Sequence, residues 1–116
     1  MVAKKQYMPE RGDIVWLNFN PIRGHEQGGK RPVLVLSRRI YNEKTGLAII
    51  CPVTSRVKGY DFEVSLPETL EIQGIVLSDH VRNLDWRARR AKFIGRAPEA
   101  VVSRVGEFIS ILAQGT

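Results

Sequence analysis

The sequence has too few cysteines for a disulfide framework, and it has no long apolar segment. Its one cysteine, Cys51, lies in an apolar run and is expected to be a buried thiol without a chemical role. No apolar run approaches the roughly 18 residues that a membrane-spanning helix needs. The basic start, residues 1–7, is not followed by the apolar stretch of a signal peptide. We therefore expect a protein without membrane spans that stays in the cytoplasm.

The sequence also lacks the ligand clusters that hold metal ions. His25 and His80 are its two histidines, and neither stands in a close-spaced pattern with cysteines or carboxylates. We expect no metal site and no cofactor. Internal repeats and low-complexity tracts are absent as well, and 116 residues leave room for one hydrophobic core. Residues 1–116 are therefore expected to form a single domain.

Acidic residues are in the minority. The chain has 18 lysines and arginines against 12 aspartates and glutamates, which gives a formal net charge of +6. The excess is concentrated in residues 82–96, where six cations are opposed by Asp85 alone. Such a segment is suited to bind phosphates, although basic clusters also serve as solvated surfaces. The arginine bias of this segment and its Trp86 favour a nucleic-acid partner.

Short apolar runs predict a mainly β fold. Several are rich in β-branched or aromatic residues, and one alternates polar with apolar side chains, as a strand with one buried face does. A turn is predicted at 42–46, and the basic segment around Trp86 is expected to lie between the last two strands. The predicted strands cover residues 13–19, 33–37, 47–51, 61–66, 74–77 and 91–94.

A glycine-rich loop and one helix complete the pattern. Residues 22–30 contain three glycines among polar side chains and are expected to be exposed. Pro98 fits the first position of a C-terminal helix that caps the sheet. Many short strands with little helix indicate a strongly bent sheet or a small barrel. The apolar face of the predicted helix consists of Val101, Val102, Val105, Phe108, Ile109 and Leu112.

Several motifs, in order along nearly the whole chain, resemble those of the MazF/PemK toxins. The first are Arg-Gly-Asp-Ile-Val-Trp at 11–16 and His-Glu-Gln-Gly-Gly-Lys-Arg-Pro at 25–32. An ordered set at compatible spacing is specific, whereas a lone Glu-Gln pair would not be. The later motifs are Pro-Val-Thr-Ser at 52–55, Lys-Gly-Tyr at 58–60, Asp-His-Val-Arg at 79–82 and Trp-Arg-Ala-Arg at 86–89.

The resemblance implies a mainly β, SH3-like small barrel with a C-terminal α-helix, usually a homodimer. It also implies an endoribonuclease toxin of a type II toxin–antitoxin system, which cuts single-stranded RNA at short specific sequences without a metal. A cognate MazE-like antitoxin would hold it inactive. The same architecture serves a DNA-gyrase poison family, whose action relies on a tryptophan near the C-terminus, and residues 112–116 contain none. The alternatives are a non-enzymatic barrel that binds nucleic acid and a gyrase-targeting toxin of the same fold.

Arg31 and Thr54 are the leading catalytic candidates. RNA is cut when its 2′-hydroxyl attacks the adjacent phosphorus, so the enzyme must transfer protons and stabilise a negatively charged phosphorane. Pro32 biases Arg31 toward an extended conformation, and the planar guanidinium suits phosphate. The resemblance adds a part for Arg31 in acid or base catalysis, which an arginine pKa above about 12 disfavours. It also places a catalytic threonine at Thr54, which taken alone is an ordinary strand residue.

Glu26 is the third catalytic candidate, and His25 competes with it. Glu26 either orients Arg31 or accepts the 2′-hydroxyl proton; taken alone, it is an exposed loop carboxylate or an ion-pair partner of Arg31. His25 has the intrinsic pKa most suitable for a general base, but the resemblance assigns it no such role and loop histidines are usually solvated. His80, beside Asp79, is expected to be a structural histidine.

Other residues are candidates for RNA contacts. Cations meet phosphates, and aromatic rings stack on exposed bases, although Tyr60 and Trp86 fit equally well into a core or a dimer interface. The sequence does not decide whether residues 67–73 border the RNA-binding groove. The candidate contacts are His25, Gln27, Lys30, Ser55, Lys58, Tyr60, Trp86, Arg87 and Arg89.

Overall fold

The computed structural model describes residues 6–19 and 29–115. These residues form a β-sheet flanked by two α-helices and one 3-10 helix. No described helix is long and apolar enough to cross a membrane. In chain order the elements are β1 (Asp13–Asn18), β2 (Lys30–Val35), α1 (Arg39–Thr45), β3 (Leu47–Thr54), β4 (Glu63–Ser65), β5 (Ile75–Leu77), the 3-10 helix (Ser78–His80), β6 (Arg82–Asp85), β7 (Lys92–Arg96) and α2 (Glu99–Gln114).

The strands form an antiparallel sheet that bends around β3. Its order is β4-β5-β3-β2-β1-β7. The first half of β3 pairs with β6 and its last two residues pair with β5, while β2 runs along its other side. Because β5 and β6 divide one edge of β3 between them, the sheet curls. The predicted mainly β fold with a C-terminal helix is confirmed, but in the described part of the chain β4 and β7 do not pair, so the sheet is open.

Alternate residues of the central strands face two hydrophobic clusters. Ile14 and Leu34 are buried on the face that carries α2, where they belong to one cluster with Val105. Val33 is buried in the second cluster, together with Trp86. Side chains of a strand alternate between the two faces of the sheet. Two covered faces therefore explain why the central strands have continuously apolar sequences.

The segment predicted as a turn, 42–46, is instead the end of a short helix. α1 ends at Thr45 and is capped by Gly46, whose φ of 72° lies in the left-handed region and whose N–H donates to the carbonyl of Asn42 over 3.0 Å. Asn42 is fully buried, and its Nδ2 donates to the carbonyls of Pro9 and Ser37. These long-range hydrogen bonds hold α1 in place, and no local sequence signal predicts them.

The predicted C-terminal helix is confirmed, with two differences. Pro98 precedes α2 with a ψ of 150° and does not occupy its first helical position. Leu112 is 52% exposed, so the apolar face is fully buried only in the first turns of α2. Two strands also differ from the prediction. β6 lies within the basic segment, where the sequence predicted no strand, and β4 is shorter than the strand predicted at residues 61–66.

A buried carboxylate ties the start of β1 to β7. Asp13 accepts hydrogen bonds from the Tyr7 hydroxyl, from the Glu10 N–H at 3.0 Å and from the Arg96 guanidinium at 2.5 Å. Burial, and then the bond to Asp13, raise the pKa of Tyr7, so its hydroxyl stays protonated and donates. The network therefore fixes the segment before β1 on the edge of the sheet.

Candidate active site

Arg31 lies at the exposed start of β2. It pairs with Leu17 of β1, while Val33, Leu34 and Val35 bury the other half of the same strand. Pro32 follows it and keeps the backbone before it extended. The strand is thus anchored at its buried half and presents the Arg31 side chain at the edge of the molecule.

Thr54 is the last residue of β3 and is half-buried. Its backbone pairs with Ile75 of β5, and its Oγ1 accepts the N–H of Arg56 over 3.2 Å. A hydroxyl that accepts this bond keeps its own hydrogen for another acceptor. The Thr54 side chain is therefore suited to donate a hydrogen bond to a phosphate oxygen.

Arg31 and Thr54 line the same open pocket, of about 390 Å³. The strand register agrees, because Val33 and Pro52 are the last paired residues of β2 and β3 at this end, and Arg31 and Thr54 each lie two residues beyond that pair. Residues opposite each other on neighbouring strands point to the same face. The two candidates are neighbours, as the enzymatic hypothesis requires. The lining of this first pocket consists of Lys30, Arg31, Pro32, Val53, Thr54, Ser55, Ile72 and Gln73.

A second, smaller pocket of about 170 Å³ adjoins the first at Thr54. Tyr60 and Phe62 stack in it with ring centroids 5.3 Å apart. The Glu63 carboxylate accepts the backbone N–H groups of Lys58 at 3.2 Å and Gly59 at 3.0 Å, which orders the turn that carries Tyr60. The lining of this second pocket consists of Thr54, Arg56, Lys58, Tyr60, Phe62, Glu63, Leu77, Asp79 and His80.

Trp86 does not offer a ring face for base stacking, so its assignment as an RNA contact is corrected. It is only 3% exposed, and its indole N–H donates to the carbonyl of Asn42 over 2.9 Å. The guanidinium of Arg87 lies 4.9 Å from the centroid of its ring. The structure places Trp86 in the core, which was the alternative that the sequence left open. Tyr60, by contrast, is 56% exposed.

Arg87 and Arg89 lie apart from both pockets. Arg87 packs on Trp86, and Arg89 lies 5.2 Å from the ring centroid of Phe19 and donates to the carbonyl of Asn18 over 3.4 Å. Neither residue lines the first or the second pocket. The structure therefore brings together Lys30, Arg31, Thr54, Ser55, Lys58 and Tyr60, but not the two arginines of the β6–β7 segment.

Three candidates from the glycine-rich loop, His25, Glu26 and Gln27, lie outside the described residues. Their roles in proton transfer and RNA binding stay predictions. Within residues 6–19 and 29–115, no three histidine, cysteine or acidic side chains gather as metal ligands.

The sequence missed several residues that line the two pockets. Ile72 and Gln73, from the 67–73 segment, border the first pocket. Phe62 and His80 border the second; the sequence showed Phe62 only as part of an alternating strand pattern. The His80 side chain is 57% exposed, and its Nε2 lies 3.7 Å from the carboxylate of Asp79, the neighbour that the sequence suggested as its partner. Its structural role stays a prediction.

Cys51 is fully buried, as predicted. Burial, and then the charge of Asp79, raise the pKa of its thiol to about 12. A neutral buried thiol is a poor nucleophile.

Comparisons with known proteins agree with this geometry. Residues 10–112 match the family described as PemK-like, MazF-like toxin of type II toxin-antitoxin system. The chain is 46% identical over 95 residues to the endoribonuclease toxin MazF of Escherichia coli strain K12, covering 81% of this chain and 85% of that protein. It is 41% identical over 108 residues to the endoribonuclease toxin ChpB of the same strain, covering 88% and 90%.

A solved structure supports the same relationship. The fold superposes on MazE-MazF (Form-II) from Deinococcus radiodurans with a TM-score of 0.90 and 53% sequence identity, covering 96% of this chain and all of that one. The family match spans most of the chain and includes both residues that meet in the first pocket. This chain therefore belongs to the PemK-like, MazF-like toxin family of type II toxin–antitoxin systems.

Proposed function

We propose that this protein is an endoribonuclease toxin that cuts single-stranded RNA at short specific sequences in the cytoplasm. The observation that carries the proposal is that Arg31 and Thr54 line one open pocket. The names of its relatives MazF and ChpB, both endoribonuclease toxins, support the same activity.

The proposed reaction is an internal transesterification of RNA. The 2′-hydroxyl oxygen bonds to the adjacent phosphorus and loses its proton to a general base, while the bond from phosphorus to the 5′-oxygen breaks. The leaving 5′-oxygen takes a proton from a general acid. The products are a 2′,3′-cyclic phosphate and a 5′-hydroxyl, and the balance requires no water, oxidant or cofactor.

Arg31 stabilises the charge that builds up on the phosphorane. A guanidinium can donate two parallel hydrogen bonds to two oxygens on one phosphorus, which a lysine ammonium cannot do with the same geometry. Because arginine remains protonated near neutral pH, we assign it electrostatic stabilisation rather than proton transfer.

Thr54 donates its hydroxyl hydrogen to another oxygen of the same phosphate. The Arg56 N–H bonded to Oγ1 fixes the orientation of the hydroxyl before RNA arrives. Donors that are in place beforehand stabilise the transition state without reorganisation, which is the main way in which such sites accelerate a reaction.

Proton transfer is assigned to the glycine-rich loop. Glu26 either orients Arg31 or accepts the 2′-hydroxyl proton, and His25 is the competing base. A pH–rate profile distinguishes them. If His25 is the base, activity should fall below about pH 6.5, and this fall should be absent from the profile of His25→Ala.

The RNA is proposed to run across Thr54 from the first pocket to the second. Lys30 and Ser55 flank the phosphate in the first pocket, and Lys58 offers a second cation next to the exposed ring of Tyr60. An unstacked base next to the cut would lie against this ring, and neighbouring phosphates would meet the cations. Gln27 is proposed as a further contact from the loop.

The proposed partner is a MazE-like antitoxin with an acidic segment. The net charge of +6 favours an acidic peptide, which would cover the same cations that bind RNA. The similar structure from Deinococcus radiodurans is of MazE-MazF. We also propose that the toxin is a homodimer.

Incubating the purified protein with a long single-stranded RNA in EDTA tests the proposed activity. We expect cleavage at few sites and fragments that end in a 2′,3′-cyclic phosphate. Binding without products would instead support a non-enzymatic RNA-binding protein, and cleavage that stops in EDTA would contradict the metal-independent mechanism.

A further inference from the structure

Gly74 approaches the backbone of Thr54 more closely than any other residue type could. Its φ is +133°, and a Cβ atom built on it would lie 2.4 Å from the Thr54 carbonyl oxygen and 3.0 Å from the Thr54 carbonyl carbon. Real Cβ atoms hardly ever come within 3.0 Å of a backbone atom. Any side chain at this position would therefore push the Thr54 peptide away by about 0.6 Å or more.

The segment that precedes Gly74 is anchored on its own. The Gln73 Nε2 donates to the carbonyls of Glu68 at 2.9 Å and Leu70 at 2.7 Å. The carbonyl of Gly74 accepts the N–H of Leu66 over 2.9 Å, at the end of β4. Leu70 packs against the hydrophobic cluster that includes Val105 of α2. A side chain added at position 74 would therefore displace Thr54 rather than this anchored segment.

Thr54 has little other backbone support. β6 pairs with β3 only up to Ile50 and β2 only up to Pro52, so at Thr54 the neighbouring strand is β5, through Ile75. Gly74 immediately precedes Ile75, at the point where β5 starts. The position of Thr54 relative to Arg31 therefore depends on how closely this corner packs.

We infer that Gly74 is a positioning residue, whose missing side chain lets the start of β5 hold Thr54 at the distance from Arg31 that phosphodiester cleavage requires. This inference rests on the proposed function, because it gives Thr54 a catalytic hydroxyl. Gly74 itself touches no substrate. It acts through the peptide of Thr54, and a displacement of the order of an ångström at such a site costs about a hundredfold in rate.

The first test is structural and does not depend on activity. In Gly74→Ala, the amide resonances of Thr54 and Ser55 should shift in a 15N–1H correlation spectrum. Gly46→Ala is the matched control, because Gly46 also has a positive φ, of 72°, but has open space around its Cβ position. Unshifted Thr54 and Ser55 resonances in folded Gly74→Ala would overturn the inference.

The second test is kinetic and uses a fluorogenic single-stranded RNA centred on a site that the wild type cuts. Gly74→Ala should lose about a hundredfold in the single-turnover rate at saturating RNA, with unchanged affinity for the 2′-O-methyl form of that RNA. Gly46→Ala should keep the wild-type rate. In a Thr54→Val background Gly74→Ala should cause no further loss, because its effect passes through Thr54.

Gln73→Ala provides a second variant should Gly74→Ala not fold. It adds no atom near Thr54 but removes the hydrogen bonds from the Gln73 side chain to the carbonyls of Glu68 and Leu70. We therefore expect a lower cleavage rate and a shifted Thr54 amide resonance in a folded protein. Wild-type behaviour of Gln73→Ala in both readouts would count against the inference. Absence of wild-type cleavage would refute the proposed function, whereas the amide shifts would still show whether Gly74 sets the position of the Thr54 peptide.

Discussion

At the scale of single residues, the proposed chemistry depends on two donors of different kinds. Arg31 supplies a permanent positive charge with a planar arrangement of N–H groups, and Thr54 supplies one neutral hydroxyl whose oxygen already accepts the Arg56 N–H. The sequence suggested both residues, but only through the motifs around them. Their meeting in one pocket follows from the register of β2 and β3, which a threonine in an apolar run does not reveal.

Replacing Arg31 by lysine should separate binding from catalysis. Arg31→Lys keeps the charge, so RNA affinity should hold, but a point charge cannot bind two phosphorane oxygens side by side, and the rate at saturating RNA should fall by about 10²- to 10³-fold. Single-turnover cleavage together with fluorescence anisotropy on a 2′-O-methyl RNA measures both quantities. A variant with near-wild-type turnover would show that any cation suffices.

At the scale of elements, short helix α1 depends on tertiary contacts rather than on its own sequence. Its seven residues have no side-chain hydrogen bond at the N-cap, and its one buried residue is Asn42. A helix of this length is unstable alone, so the sequence indicated only the turn that Gly46 makes. Strand β6 was missed for a related reason, because it is polar and exposed at most positions and is a strand through its pairing with β3.

Asn42→Ala should therefore destabilise the fold strongly. The substitution leaves the buried carbonyls of Pro9 and Ser37 without their donor, and we expect a loss of about 3 kcal/mol in the free energy of unfolding. Urea denaturation followed by tryptophan fluorescence measures it. Glu43→Ala, at the exposed neighbouring position of α1, is the control and should change stability by no more than about 0.5 kcal/mol; equal effects of the two would refute this role for Asn42.

The start of α2 is held to the segment before β1 by a pH-sensitive ion pair. The Arg11 guanidinium donates to both oxygens of Glu99, at 2.7 and 2.9 Å, and Ser103 adds a third bond. The bonds from Arg11, and then from Ser103, lower the pKa of Glu99 from 4.5 to about 2. Its contribution to stability is therefore complete above pH 4.5 and is lost as the pH falls toward 2.

Glu99→Gln should remove this part of the pH dependence. The wild type should be more stable than the variant at pH 7, and the difference should shrink between pH 4.5 and 2, as measured by denaturation at several pH values. Glu107→Gln serves as the control, because Glu107 is also on α2 but its carboxylate forms only a long ion pair, 3.9 Å from the Arg104 guanidinium. If the difference in stability between the wild type and Glu99→Gln stayed the same across this pH range, Glu99 would be excluded as the source of the pH dependence.

At the scale of the whole molecule, the composition pointed to the class of partner, and the topology determines which cations line the two pockets. A net charge of +6 favours RNA or an acidic peptide, but none of the six cations between residues 82 and 96, on β6, β7 and the segment between them, lines either pocket. The cations in the pockets come from β2 and from the segment after β3. Charge density along the chain therefore does not indicate which cations line the two pockets. The single-domain organisation of residues 1–116 stays a prediction.

The central claim is that the Thr54 hydroxyl and the Arg31 guanidinium act together on one phosphodiester, and the cleavage rate of Thr54→Val tests it most directly. Valine matches the shape of threonine but has no hydroxyl, so the single-turnover rate on single-stranded RNA in EDTA should fall by about 10²- to 10³-fold, with unchanged RNA affinity. Thr54→Ser keeps the hydroxyl and should retain most of the activity. Cleavage by Thr54→Val at the wild-type rate would contradict the account.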